Sequence, residues 1–417
     1  MMQQVERTVP SGAPPDEVRG ARDVRRSVHA LWVASLLGGL AQALAGTAGS
    51  LLARQVGRSD AVAGLPQGFL VAGSAIAALA MSRLTARRGR RVALTSGATA
   101  AMAGCGVVII GGAIASLPLI LSGCLLLGAG NTSVMLGRYA AADLGPEGSR
   151  TAAMASVLVA TTVGAVAGPN LLAPASRMAA HLGLPVLCGP YLIAAITFAA
   201  AAATLARGLR LALLPPLDAT GINRNTHRSP LNRQGVSGLT ILLLANLVMV
   251  SVMTMAPMQL RHNGNGLGMI GLVVSAHIAG MFAPSPLSAW LTNRLGGAAA
   301  ATAAAVLLIG ACSLAAVGSH SSGTLMTAMV LLGAGWNLSL ISGSTLLTAG
   351  VPAGERPRRE GWGEVAMGAA AAGGGAGSGA MMAAGGYQLL AAAAAAVAVL
   401  VVPISLGGVE NSRSVPS

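Results

Sequence analysis

LLGAGNTS, Leu126–Ser133, returns 205 residues later as LLGAGWNLS, Leu331–Ser339. A second echo has nearly the same spacing: TARRGRR (85–91) and TNRLGG (292–297) set Arg87 and Gly89 against Arg294 and Gly296, an offset of 207. Two independent matches at almost one offset point to a duplicated unit. The sequence around both copies is apolar. Of the 417 residues 54% are hydrophobic and only 9% charged, with a mean hydropathy of +0.70. Soluble domains carry about 25% charged residues, so an aqueous globular fold is excluded.

Working outward from the repeats, apolar runs fall near 30–50, 61–82, 92–112, 117–136, 151–173 and 184–205, then 238–259, 267–290, 297–317, 324–345, 363–384 and 387–406. Each is close to the ~20 residues that cross a bilayer as a helix. Lipid offers the backbone no hydrogen bonds, so only helices or closed barrels span it, and runs this long are helical. The pattern predicts an all-α membrane protein with twelve transmembrane helices in two pseudo-symmetric six-helix bundles. The eleventh run contains GAAAAGGGAGSGA (368–380), which by composition alone would also suit a flexible linker; between neighbours of span length it reads as a close-packed small-residue helix. The predicted organisation is a cytoplasmic N-terminal tail (1–29), an N-terminal bundle (30–205), a cytoplasmic linker (206–237), a C-terminal bundle (238–406) and a cytoplasmic C-terminal tail (407–417).

The net charge of +14 would suggest a nucleic-acid partner in a soluble protein. Here the basic residues sit in short gaps between apolar runs, with few aromatics beside them, so no nucleic-acid partner is expected. All 26 are arginines, which together with the Ala and Gly excess suggests a high-GC bacterial genome. With the N-terminus inside, only Arg54, Arg58, Arg177 and Arg261 face outside; the other 22 lie on the cytoplasmic side. That asymmetry predicts a multi-pass protein of the bacterial plasma membrane with both termini cytoplasmic. The run HALWVASLLGGLAQALAGTAGS would also pass for a cleavable signal, but its long polar lead favours a first span. Cys105, Cys124, Cys188 and Cys312 lie inside apolar runs without ligand-like spacing and read as small buried hydrophobes, so neither a metal site nor a disulfide framework is expected.

These features resemble the major facilitator superfamily over essentially the whole chain outside the tails. Its signature between spans two and three, Gly-x-x-x-Asp-Arg-x-Gly-Arg-Arg, is matched here by Arg87, Gly89, Arg90 and Arg91, with Ser82 and Ala86 in place of the glycine and the aspartate. The echo after span eight keeps Arg294 and Gly296, with Asn293 at the acidic position. GAVAGP (164–169) in span five resembles the Gly-x-x-x-Gly-Pro element of the superfamily's exporters, and GRYAAADLGPEGSR (137–150) resembles the loop between spans four and five. The arginine many relatives carry in span four is replaced by Cys124.

The resemblance implies a secondary transporter, not an enzyme, working by alternating access without a cofactor, with its site between the halves. The expected activity is proton-coupled export of a small apolar or amphipathic compound by a monomer. Gradient-coupled uptake of a metabolite is the alternative, and a non-transporting membrane sensor a further one. The resemblance also implies a gating loop (Arg87, Gly89, Arg90, Arg91, Arg294 and Gly296), with an arginine of the 2–3 loop pairing with Glu360 or Glu364. Cavity-lining spans one, four, seven and ten carry Gln42, Asn131, Asn246, Ser251, Thr254, Trp336 and Asn337. Gln42, Asn131, Asn246, Trp336 and Asn337 are candidate substrate contacts, and interhelical hydrogen bonding is the other role open to them.

Ionisable groups within spans are functional candidates because burial in hydrocarbon is costly. His277 in span eight is either a proton carrier or a neutral packing histidine. Glu364, at the start of span eleven, is a proton site, a gate partner or a solvated carboxylate. Met249, Met253, Met255 and Met258 in span seven offer a soft ligand surface or fill gaps. Gly164, Gly168 and Pro169 let helices approach and bend, and Pro284 and Pro286 predict a kink in span eight.

Overall fold

The computed structural model describes residues 15–144, 150–209, 231–351 and 356–406. Part of the predicted N-terminal tail, most of the 206–237 linker, the GPEGS stretch (145–149) of the 4–5 loop, the C-terminal tail and the Ala86 side chain lie outside the described residues. The described residues are helical, with no strand among them.

Eleven described segments are long and apolar enough to cross a membrane. They are Asp23–Gly57, Asp60–Thr85, Arg87–Ala113, Leu117–Arg138, Ser156–His181, Val186–Gly208, Arg233–His262, Leu267–Leu295, Gly297–Val317, Ser322–Leu347 and Arg359–Ser405. The last has 47 residues, twice what a bilayer needs. It breaks at Gly385 and Gly386, where the backbone leaves helical geometry (φ 72°, ψ −179° at Gly386). The segments before and after the break are the eleventh and twelfth spans. Apolar side chains that water would penalise stand exposed along the spans, among them Ile76 (61%), Leu79 (66%) and Val306 (61%). That is the expected arrangement where the solvent is lipid.

The chain divides into two compact units, Met1–Ala45 with Ala72–Thr226, and Gly46–Val71 with His227–Ser417. In the first, Leu31, Leu94, Ala98, Val157, Ala201 and Leu205 form the core. In the second, Ile241, Ala301, Ala305 and Leu346 do so, and Ala300, Ala304 and Leu338 form a neighbouring cluster. Alanine and glycine dominate because helices in lipid gain stability from close van der Waals approach and not from expelling water.

The internal repeat recurs in these contacts. In the first unit a Cβ on Gly73 of the second span would collide with the Leu125 carbonyl of the fourth; in the second unit a Cβ on Gly280 of the eighth span would lie 2.6 Å from the Val330 carbonyl of the tenth. A Cβ on Gly130 would lie 2.5 Å from the Ala101 Cβ, as one on Gly335 would lie 3.1 Å from Leu308. These pairs keep the offsets of 205 and 207 seen in the sequence. Gly89 (φ 82°, ψ 165°) and Gly296 (φ 82°, ψ 157°) share one backbone conformation that side chains with a Cβ rarely adopt. Each makes the turn between consecutive helices at the same place in its unit.

Two spans are interrupted. In the fifth, Gly168–Leu171 tightens to a 3₁₀ turn and the helix resumes over Leu172–His181, past the predicted end at 173. The extension buries Leu172, Ala175, Ser176 and Ala179 at helical spacing. The eighth span is two helices, Leu267–Phe282 and Ser285–Leu295, parted at Ala283–Pro284. Pro286 cannot donate to the Phe282 carbonyl, and the Ser285 hydroxyl does so at 2.7 Å.

Candidate functional site

The candidate polar residues of the first unit sit on the first and fourth spans. Asn131 donates from Nδ2 to Ser74 Oγ at 3.2 Å, Ser74 Oγ donates to Gly128 O at 3.1 Å, and Thr132 Oγ1 to Ser74 O at 2.9 Å. These bonds tie the fourth span to the second. Gln42 is half-buried, and its Oε1 is buried with no protein donor among the described residues. On the fifth span, a Cβ at Gly164 would strike the Leu36 carbonyl and one at Gly168 would lie 2.5 Å from that of Leu40. Gly164 and Gly168 thus set the distance between the first and fifth spans, and Pro169 starts the 3₁₀ turn beside them.

In the second unit two candidates come together. Trp336 donates from Nε1 to Asn246 Oδ1 at 2.9 Å, and Asn246 donates from Nδ2 to Met367 O at 2.6 Å, joining the tenth, seventh and eleventh spans. Asn246 is buried and its amide is used on both sides; Trp336 is half-buried, its ring oriented by the Nε1 bond. Asn337 donates to Ser285 Oγ at 2.9 Å at the break in the eighth span, leaving its buried Oδ1 without a donor among the described residues. His277 is fully buried, with Nδ1 2.7 Å from Met329 O. A carbonyl only accepts, so Nδ1 carries the hydrogen, and Nε2 has no partner among the described residues.

A cavity of about 160 Å3 lies among the seventh, eleventh and twelfth spans. Leu247, Val248, Met381, Leu390 and Val397 supply its apolar wall, Gly373, Gly374 and Gly377 make room for it, and Ser251 and Ser378 add hydroxyls. No charged side chain lines it. Among the methionines, Met249, Met255 and Met258 are buried in the packing and Met253 is half-buried.

The basic loops lie elsewhere. Arg87 and Arg91 are exposed and Arg90 half-buried. Arg294 stands over the Trp290 ring, 5.3 Å from its centroid, a cation–π distance. Glu360 and Glu364 are exposed at the start of the eleventh span, beside a buried Arg359 that stacks on Trp362 at 5.2 Å. Among the described residues no three His, Cys, Asp or Glu side chains are grouped to hold a metal. The sequence reading missed Ser74 and Ser285, whose hydroxyls are unremarkable in apolar runs. It also passed over Asp60, although that is the one acidic residue between Asp23 and Asp143.

Paired spans, duplicated contacts and an uncharged cavity define a polytopic helical transporter fold. A bacterial homologue of the iron transporter ferroportin has a similar one, with a TM-score of 0.69 at 13% identity over 92% of this chain and 98% of that one. No family model matches the sequence. The uncharacterized MFS-type transporter YdeG of Bacillus subtilis (strain 168) is 35% identical over 356 residues, 82% of each chain. The riboflavin transporter RfnT of Brucella anthropi is 27% identical over 358 residues, 83% of this chain and 86% of its own. The chain belongs to the major facilitator superfamily. It is a multi-pass membrane transporter, not an enzyme, and such a protein acts on a small-molecule substrate.

Proposed function

We propose that this transporter exports a small apolar or amphipathic compound in exchange for protons, by alternating access of its two six-helix halves. It works as a monomer in a bacterial plasma membrane with both termini in the cytoplasm. The observation that carries the substrate class is the 160 Å3 cavity, walled by aliphatic side chains and glycines, with two hydroxyls and no charge. A site so lined binds by apolar contact and steric fit, with a few hydrogen bonds to fix orientation. The cavity lies within the second unit and none of the sequence candidates lines it; Trp336, oriented by Asn246, and Asn131, Asn337 and Gln42 are proposed as substrate contacts apart from it.

Glu364 or Glu360 pairs with the arginine loop when the cytoplasmic side is closed. His277, sealed against Met329, serves packing and not proton transfer. The exporter-like GAVAGP element favours outward transport. Uptake is the second reading, favoured by the riboflavin transporter among the relatives.

Reconstituted vesicles under an imposed pH gradient test both, with a panel of amphipathic dyes and riboflavin as probes. Accumulation of dye against its gradient, driven by protons moving the other way, supports export. Proton-driven movement of riboflavin in the same direction as the proton supports uptake. Flux indifferent to the gradient overturns proton coupling.

A further inference from the structure

The sole acidic residue between Asp23 and Asp143 sits between the first two spans and gathers cations. Arg54 Nε donates to Asp60 Oδ1 at 2.7 Å, and His262 Nε2, at the end of the seventh span, lies 3.6 Å from Asp60 Oδ2. The carboxylate is the most covered of the three, its side chain 23% exposed against 41% for Arg54 and 32% for His262. All of them belong to the second compact unit.

The segment that starts at Asp60 lies backbone to backbone on the eleventh span. A Cβ on Gly379 would come 2.6 Å from Ala61 O and 2.9 Å from Asp60 O, one on Gly64 would collide with Gly375 O, and one on Gly68 would lie 3.2 Å from the Ala376 Cβ. These close approaches are van der Waals contacts between backbones. The ion pairs add a directional, titratable component.

The groups around Asp60 divide by element. The first span brings Arg54 and, just past its end, Arg58. The end of the seventh brings His262 and Arg261, whose Nη1 is turned to Asn265 O at 3.4 Å. The eleventh brings Gly379 to the Asp60 backbone, with Gly375 and Ser378 beside Gly64, and none of the three titrates. Among the described residues the groups paired with Asp60 are both basic, and Asp60 is the acceptor for Arg54 and His262.

We propose that Asp60 is a positioning residue of the transport cycle: its carboxylate latches the 60–68 segment to the seventh and eleventh spans, and protonation from the adjoining solution releases it. With the termini cytoplasmic, as proposed above, that solution is the outer one. A proton on an Asp60 oxygen removes the negative charge that pairs with Arg54 and His262. Arg54 and His262 then repel each other across a neutral acid, leaving only the glycine contact. The inference rests on the alternating-access reading, but its test requires no substrate.

Spin labels on Phe69→Cys and Leu389→Cys, both exposed positions, read the separation of the segment from the twelfth span in nanodiscs. The four native cysteines are buried and stay unlabelled. Unmutated Asp60 is expected to give a short distance near neutral pH and a longer one in acid. Asp60→Asn should give the longer distance at both, and Asp60→Glu should restore the pH response. If the Asp60→Asn protein does not fold, Arg54→Gln breaks the same pair from its other side and should favour the longer distance near neutral pH. A protein with Asp60 intact whose distance ignores pH, or an Asp60→Asn protein that responds as it does, overturns the latch. If vesicles show no proton coupling while the distance follows pH through Asp60, proton antiport falls and the latch stands.

Discussion

Replacing Gly164 by alanine should destabilise the protein although alanine is the better helix former. In an exposed helix interior the change gains about 1 kcal/mol. Here the new methyl would strike the Leu36 carbonyl and lie 2.9 Å from both Leu36 C and Leu40 N. These are backbone atoms of the first span, so no side-chain rotation relieves the overlap and the two helices must part. Overpacking of this kind costs about 1–3 kcal/mol. With the upper end appropriate to a backbone clash, the net loss is about 2 kcal/mol.

One kcal/mol moves the melting temperature of a 150–250-residue domain by about 2–4 °C, so a drop of about 4–8 °C is expected. Gly106→Ala is the control, since a Cβ there meets nothing within 4 Å. It should hold or raise the midpoint. Thermal unfolding of both variants in the same detergent, followed by loss of the monodisperse peak on size-exclusion chromatography, makes the comparison. A Gly164→Ala protein as stable as the Gly106→Ala one would refute the close approach of the first and fifth spans.

Gly89→Ala and Gly296→Ala should each lose about 1–2 kcal/mol from the left-handed backbone alone, because nothing lies within 4 Å of either Cβ position; markedly unequal losses in the same melt would count against the shared turn. Asn246→Ala removes both hydrogen bonds of the Trp336–Asn246–Met367 chain, at about 0.6 kcal/mol per interhelical bond. In a variant keeping Trp336 as its only tryptophan, acrylamide quenching should rise, and unchanged quenching would show that Asn246 does not hold the ring. His277→Gln can still donate to Met329 O, so transport should keep its pH profile while His277→Phe melts lower; a flattened profile in the Gln variant would make His277 a proton carrier.

Much of the fold is legible because hydropathy is a local property. The first ten predicted spans each meet a transmembrane segment, and the last two meet a single segment divided at Gly385 and Gly386. The duplication was visible in two short motifs, and the recurring contacts of Gly73 and Gly280 repeat it in space. The fifth span was cut short at 173 because LAPASRMAAH is amphipathic and drops out of an apolar count, although one face of it is buried. At the candidate site the polar residues could be named, but their partners could not. Asn131 finds Ser74 and Asn337 finds Ser285 through helix rotation, and serine is too common in such runs to announce a role.

The sequence by itself determined how often the chain crosses the membrane, that it does so as two related halves, and which loops carry the arginines. Each follows from counting apolar and charged residues along the chain, since lipid judges a segment by its own composition. Only the tertiary structure decided that Asn246 is consumed in holding Trp336, that His277 is sealed against a carbonyl, and that Asp60 gathers Arg54 and His262 beside a glycine contact. Those outcomes depend on how each helix is rotated and how closely small residues let it approach. In a bilayer that rotation is fixed by contacts between helices, to which the hydropathy of any one of them is blind.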